Sequence, residues 1–322
     1  MIQRARITII GLIPTRKAGE FIWDKIRIYE QIFVVETIKS SYRGAMDISL
    51  LKTFLSVVKT RHFGRAGEAL FVTQAAVSAR IKQLENTLGT QLFTRDRNNI
   101  QLTPAGERLL RHAEVIVHGW ERARLDVALE TKFAQSLAVG TTIDLWHINT
   151  REWIENLYQT QPRLTLHLEI NKIDFLINML LNGVLDLAFV FEPPTTPELI
   201  ARQLEKIPLI LVSSIEGASL EEVFKDDYLL VDWGRSFSIT HAAFVEDRCI
   251  PRAHCSSGGM ALDLLLSQGG SCYLAKQMVE PYLASKDLFL IADAPIIERF
   301  SYAVFRTENE CSELIRDILP DL

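Results

Sequence analysis

The sequence is poor in cysteine, has no long apolar run, and lacks the short motifs that mark the common catalytic sites. Four cysteines occur in 322 residues: Cys249, Cys255, Cys272 and Cys311, all in the last quarter and none in C-x-x-C spacing. A disulfide framework is therefore not expected, and free, mostly buried thiols in a reducing cytoplasm are. No apolar stretch approaches 18 residues, so no membrane-spanning helix and no membrane partner are expected. G-x-S-x-G, H-E-x-x-H, the P-loop and G-x-G-x-x-G are all missing. The seven histidines are scattered without metal-ligand spacing. No metal, no cofactor and no catalytic residue is expected. Internal repeats and low-complexity tracts are missing as well.

What is present is a globular composition, 48% hydrophobic and 23% charged, in a chain long enough for at least two cores. The net charge of -5 is unevenly spread. Residues 1–45 carry eight Lys/Arg against four Asp/Glu, and residues 46–130 twelve against nine. The remainder carries fifteen against twenty-seven. A mildly basic front on an acidic back suggests an anionic partner for the front alone.

The stretch "FVTQAAVSARIKQLE", residues 71–85, narrows that partner. Thr73 is placed to cap a helix whose apolar positions Val77, Ile81, Leu84 and Leu88 recur at spacings of four, three and four. The opposite side carries Ala75, Ser78, Ala79 and Lys82, with Gln74 at the helix start. A merely solvated face usually carries Glu and Lys. This one is short-chained and nearly free of acid, so another surface can approach it closely.

The flanking segments complete a pattern. "LLKTFLSVVKT" reads as a helix with Phe54, Leu55 and Val58 inward. "FGRAGEAL" reads as a second short helix, and Phe71-Val72 as the turn into the third. Two short helices joined by a tight turn, the second exposing small polar groups at its start, describe a helix-turn-helix. Gly89 is suited to stop that helix. "LFTRDRNNIQLT" reads as a hairpin with Asn98-Asn99 at its turn and Arg95 and Arg97 flanking the tip, a basic wing. A three-helix interaction module with a solvated hairpin is the alternative.

Residues 46–110 resemble the winged helix-turn-helix of LysR-type transcriptional regulators. The resemblance rests on "LLKTFL", "FGRAGEAL", "TQAAVS", "QLENTLG", "LFTR" and "LTPAGERLL", in that order. Within the family, "TRHFGRA", "RIKQLE" and "LFTRDRNNIQLT" are most similar to a regulator of a flagellar master operon. The resemblance implies double-stranded DNA as a partner, presented as paired half-sites. Thr73, Gln74, Ala75, Ser78 and Ala79 would then line the major groove, with Gln74 and Ser78 reaching base edges or phosphates. Arg95 and Arg97 would enter the adjacent minor groove, Arg80 could reach only a phosphate, and Lys82 and Asn98 complete the expected DNA-binding set. Family members often carry a long basic residue directly after the serine. Ala79 stands there in this chain and offers at most a methyl contact.

From Thr103, "TPAGERLLRHAEVIVHGWERARLDVAL" reads as a long helix with Pro104 in its first turn. Leu109, Ala113, Ile116, Trp120, Ala123 and Val127 form a seam at alternating spacings of four and three. Such a seam could pack on its own domain. The family's linker helix pairs subunits, which implies a homodimer or homotetramer.

Beyond it, strands and helices alternate: "SLAVGT", a helix from about Leu145 to Tyr158, "LTLHLEI", "DFLINMLLNG", "LDLAFVF" and "PLILVSS". That order predicts a parallel sheet in an α/β domain. A second unit begins near Ser219, with "YLLVDWG", "GGMALDLLLSQGG" and "SCYLA". The resemblance implies two subdomains hinged around a cleft, as in periplasmic binding proteins, with "RFSYAVFR" returning to the first. A small-molecule effector of unknown identity would bind there. Thr141 and Thr142, after the first strand, and Ser256 and Ser257, before Gly258, are the candidate effector contacts. Ordinary helix capping is the alternative for both pairs. Some family members sense oxidants, which makes Cys249 and Cys255 a second candidate device.

The expected organisation is therefore a winged helix-turn-helix over 46–103, a linker helix over 104–132 and an effector-binding α/β domain over 133–322. The competing reading is a solute-binding or catalytic α/β protein with an accessory helix-turn-helix. Residues 1–45 fit neither. The LysR-like pattern begins at "MDISLLKTFL", and Arg43-Gly44 can be encoded as a ribosome-binding sequence. Translation from Met46, with 1–45 as leader, is expected.

Overall fold

A computed structural model describes residues 47–96, 99–128, 135–225, 227–245, 249–309 and 311–319. The expected leader, residues 1–45, lies outside them, as do Arg97, Asn98 and the side chain of Arg95. The chain divides into two compact units, with the boundary between Glu114 and Val115.

In the first unit, α1 (Ile48–Thr60), α2 (Phe63–Ala69) and α3 (Gln74–Leu88) pack around Leu50, Leu51, Phe54, Val57, Val77, Ile81 and Leu84. Each helix starts on a side chain that accepts otherwise orphaned N–H groups. Asp47 Oδ1 accepts from Ser49 at 2.8 Å, His62 Nδ1 from Gly64 and Arg65 at 3.0 and 3.2 Å, and Thr73 Oγ1 from Ala76 at 3.2 Å. Gly89 ends α3 in the left-handed region at φ 68°. Two expectations shift. The inward face of α1 runs through Leu50, Leu51, Phe54 and Val57, leaving Leu55 and Val58 half-buried, because α1 meets α2 and α3 one position round from the anticipated face. Leu88 is exposed, since the last turn of α3 runs past the core.

β1 (Phe93–Asp96) and β2 (Asn99–Leu102) form the hairpin, with Asp96 opposite Asn99. Asn99 is therefore a strand residue and not part of the turn. Phe93 joins the hairpin to the core through the Phe54 ring at 5.4 Å. α4 (Pro104–Ala128) starts at the expected proline. Thr103 Oγ1 accepts the Gly106 N–H at 3.0 Å and donates to Gln91 O at 2.7 Å.

The second unit holds β3 (Gln135–Thr141), then α5 (Ile143–Leu145), which runs through a π-helical turn at Trp146–Thr150 into α6 (Arg151–Thr160). β4 (Leu164–Ile170), α7 (Ile173–Leu181), β5 (Leu187–Val190) and β6 (Leu199–Ser213) follow. Next come α8 (Glu222–Lys225), β7 (Tyr228–Val231), α9 (Arg235–Val245), β8 (Ala253–Cys255), α10 (Gly258–Gln268) and β9 (Ser271–Ala275). The described residues end with α11 (Lys276–Ser285), β10 (Phe289–Leu290), β11 (Ile297–Arg306) and α12 (Ser312–Ile318).

The sheet is mixed, not parallel throughout. Its path is β4-β3-β5-β11-β6-β9-β7-β8, with β10 beside β6. β3, β4 and β5 are parallel in one subdomain, and β7, β8 and β9 are parallel in the other. β6 and β11 run antiparallel between them and belong to both. "PLILVSS" proves to be the end of the 15-residue β6. The first half of that strand carries polar residues, so only its apolar end stood out in the sequence. "RFSYAVFR" returns to the first subdomain by pairing with β5, as expected.

Two backbone sites in the helix-turn-helix are under constraint. A Cβ on Gly67 would lie 2.6 Å from Val72 O, so α2 and the turn touch through that glycine. Phe71 is 95% exposed and sits at φ 56°, where a side chain is strained and here packs against nothing in return. Gly67→Ala is expected to lower the stability of the first unit by about 1–3 kcal/mol, and Phe71→Asn to raise it by about 1 kcal/mol. Urea unfolding of the full chain checks both. Equal midpoints for the three proteins would show that the turn carries no such strain.

Candidate DNA-reading and effector-sensing sites

The surface of α3 opposite its core presents Gln74, Ala75, Ala79 and Lys82 exposed and Ser78 half-buried. Thr73 is exposed while its hydroxyl caps the helix. Arg80 turns the other way: its Nη1 donates to Thr53 Oγ1 on α1 at 3.4 Å. The one acidic side chain of α3, Glu85, stands about two turns beyond Ser78 and accepts the Leu92 N–H at 2.8 Å, so the accessible edge at the helix start is amide, hydroxyl, methyl and ammonium. Such an edge suits a polyanion with a readable surface.

α4 splits its seam between two roles. Ala113 is fully buried and Leu109 half-buried, while Ile116, Trp120, Ala123 and Val127 are exposed, Trp120 to 49% and Val127 to 88%. The C-terminal half of the helix, from Val115, belongs to the second unit and is fastened within it. Arg122 Nη1 donates to the carbonyls of Gly183 and Val184 at 3.1 and 2.9 Å. Its Nη2 donates to Asp186 Oδ2 at 2.8 Å, which also accepts the Ala138 N–H at 2.9 Å. His118 packs its ring on Phe175 at 5.5 Å. The C-terminal half of the helix is thus held by one fully engaged guanidinium, a charge-assisted and directional arrangement.

In the second unit the two candidate effector pairs come to one place, joined by a residue the sequence did not single out. Asp144 Oδ1, on α5 of the first subdomain, accepts the Gly258 N–H at the start of α10 in the second, at 2.7 Å. Thr142 lies two residues before Asp144, and Ser257 one residue before Gly258. Ser257 Oγ accepts the Met260 N–H at 3.3 Å, the capping role held open for it. Ser256 is exposed. Thr141 is buried, with its hydroxyl 3.2 Å from that of Thr150. Thr142 Oγ1 is buried without a hydrogen-bond partner among the described residues. Gly258 is packed so that a Cβ would meet the Trp233 ring at 2.6 Å, and Trp233 Nε1 donates to Tyr273 O at 2.9 Å. The start of α10 is therefore fixed.

Burial pushes the Asp144 carboxyl up to about 6. The N–H groups of Gly258 and Gly259 and the nearby His147 pull it back, and Asp232 adds to the rise. Burial also raises the thiols of Cys249 and Cys255, which works against a reactive thiolate at either. No cluster of three or more metal-ligating side chains occurs among the described residues.

Comparison with known proteins gives this geometry its family. Residues 48–107 match the model of the bacterial regulatory helix-turn-helix protein of the lysR family. Residues 132–319 match the LysR substrate binding domain. The chain belongs to the LysR family. This LysR-family regulator is 38% identical over 283 residues to the HTH-type transcriptional regulator HdfR of Yersinia enterocolitica, covering 85% of this chain and 95% of that protein. The crystal structure of CbnR, a LysR family transcriptional regulator, matches with a TM-score of 0.63 at 18% identity, over 86% of this chain and 100% of that one. Full-length CbnR complexed with its target DNA matches with a TM-score of 0.59 at 19% identity, over 84% and 97%. The regulator is thus a DNA-binding transcription factor of LysR type with an effector-binding domain, and the expected fold class holds.

Sequence reasoning passed over Asp144, Arg122 and the pair of buried Arg299 with half-buried Glu192. Each meets a partner far along the chain, and no spacing rule encodes such a meeting. A carboxyl raised from 3.8 to about 6 holds its proton more tightly folded than unfolded. Stability is therefore expected to fall as pH rises through that window, by roughly 1–3 kcal/mol, and to level off above it. Asp144→Asn keeps an acceptor for Gly258 and should flatten the decline. Urea unfolding between pH 4 and 8 measures this, and an identical decline in the variant would assign it to other groups.

Proposed function

We propose that this regulator reads its operator with the exposed edge of α3, with Gln74 and Ser78 on base edges. Ala75 and Ala79 would lie close to the groove wall, and Thr73 and Lys82 near phosphates. The observation that supports it is the short-chained start of α3, nearly free of acid, in a family that includes a regulator solved with its target DNA. Arg80, already turned to Thr53, would at most reach a phosphate. Arg95, Arg97 and Asn98 remain the proposed wing contacts. The protein acts on its ligand by binding and not by catalysis, in the cytoplasm. Thr141, Thr142, Ser256 and Ser257 mark the region of the cleft that senses the effector. Flagellar control, suggested by the similarity to HdfR, is part of the same proposal.

Gln74→Ala and Ser78→Ala are expected to weaken operator binding by about 1–3 kcal/mol each while sparing non-specific binding. Footprinting on the flagellar master promoter and on the divergently transcribed neighbour provides the test. Wild-type footprints from both variants would remove α3 from the groove. Arg95→Ala and Arg97→Ala should each lower the salt dependence by roughly one counterion.

Subunits are proposed to pair, as a homodimer or within a homotetramer, through the exposed stripe Ile116, Trp120, Ala123 and Val127 of α4. An exposed apolar row of that length costs solvation unless it is covered. Leu109 and Ala113, more deeply set, continue the same seam toward the helix start. Trp120→Glu would place a charge against its symmetry mate, and sedimentation is expected to show monomers. A persistent dimer would move the interface elsewhere.

A further inference from the structure

The second unit contains a cavity of about 500 Å³ whose inner wall is an incompletely satisfied arginine. Arg299, on β11 where that strand crosses between the subdomains, has a side chain only 3% exposed. Its Nη1 and Nη2 both point at a single oxygen, Glu192 Oε1, each at the long distance of 3.5 Å. Its Nε is buried with no hydrogen-bond partner among the described residues. A guanidinium offers five donors in a fixed fork, and a buried one is normally saturated. This one is not.

Glu192 is a loose partner. Its carboxylate is 45% exposed, and the same Oε1 also accepts the Arg235 N–H at the start of α9, at 3.0 Å. One oxygen thus serves a helix N-terminus and two guanidinium nitrogens, where a carboxylate fits a guanidinium best through two parallel bonds. Gly234 is shaped to this contact. It sits at φ +88°, and a Cβ there would lie 2.8 Å from Glu192 Oε1 and 3.1 Å from Arg299 Nη2. The rest of the wall is mixed, with an aromatic side and a polar side that includes Arg235 and Glu298. Phe191 lies under the guanidinium at 5.3 Å, with Ile239 and Tyr302 alongside.

We propose that this cavity binds a small monocarboxylate with an apolar body. Its two oxygens take the unsatisfied edge of Arg299 and displace Glu192 from it, freeing Glu192 from the start of α9 as well. The inference rests on the second unit being an effector-sensing domain and names the chemical class of the effector. Because Glu192 lies at the end of β5 and α9 belongs to the other subdomain, the exchange changes a contact that spans the cleft.

The test uses the full chain and isothermal titration calorimetry. The probes are acetate, butyrate, hexanoate and phenylacetate, each beside its neutral amide. At least one acid is expected to bind saturably and ten times or more tighter than its amide. Arg299→Gln should abolish that preference, and Glu192→Gln, which keeps Arg299 and removes its competitor, should strengthen acid binding severalfold. If Arg299→Gln does not fold, the Glu192→Gln result decides alone. No acid exceeding its amide, or a preference surviving in Arg299→Gln, overturns the proposal. If a neutral or cationic metabolite alters the operator complex while the acids fail, the ligand class is wrong and the sensing reading stands. Acid binding at Arg299 that leaves every operator complex unchanged keeps the site and removes the sensing reading.

Discussion

Two carboxylates hold the halves of the second domain to each other. Asp144 accepts the first N–H of α10, and Glu192 accepts the first N–H of α9. Both acids come from the β3-β4-β5 side, and both helices belong to the β7-β8-β9 side. A helix N-terminus carries unpaired N–H groups and the positive end of the helix dipole, so it attracts an anion wherever one is within reach. Here the chain supplies its own. β6 and β11 join the subdomains covalently and through the sheet, but two crossing strands can bend. The carboxylates set how far.

This arrangement suits the cleft to the binding role proposed above. Buried Asp144 has little to gain from ionisation, and Arg299 holds donors that Glu192 does not satisfy. Both contacts span the two subdomains, and the one at Glu192 leaves Arg299 Nε without a partner among the described residues. A ligand shifts an equilibrium between two arrangements only by interacting differently with them. Displacing a carboxylate from a helix start is an interaction of that kind. On the opposite side of the first subdomain, Arg122 ties the C-terminal half of α4 to Gly183, Val184 and Asp186. Movement of β5 and its flanking loops would therefore be felt by the helix whose exposed stripe is proposed to join subunits.

The sequence made the first domain legible because its information is local. Caps at Thr73 and Thr103, the spacing of Val77, Ile81 and Leu84, and the stop at Gly89 depend only on near neighbours. The errors there are of rotation and length: Leu55 and Val58 in place of Leu50 and Leu51, Leu88 past the core, and Asn99 in a strand instead of its turn. In the second domain alternation revealed the strands but not their direction, so β6 was read as one more parallel strand. A 15-residue crossover with a polar first half has no spacing signature. Thr142 and Ser257 lie in sequence beside Asp144 and Gly258, yet the contacts between the subdomains are made by Asp144, and by Glu192 with Arg235 and Arg299. Asp144 and Gly258 are 114 positions apart, and Glu192 and Arg299 are 107. Only the fold brings them together.

The bridge between Asp144 and Gly258 can be observed directly at its hydrogen. In a 15N-labelled sample, the Gly258 amide is expected to exchange slowly with solvent. Its proton shift should follow a titration with a midpoint near 6, set by the carboxyl it faces. A Gly258 amide that exchanges at the rate of an open loop, with a shift indifferent to pH between 4 and 8, would contradict a domain closed on its own carboxylates.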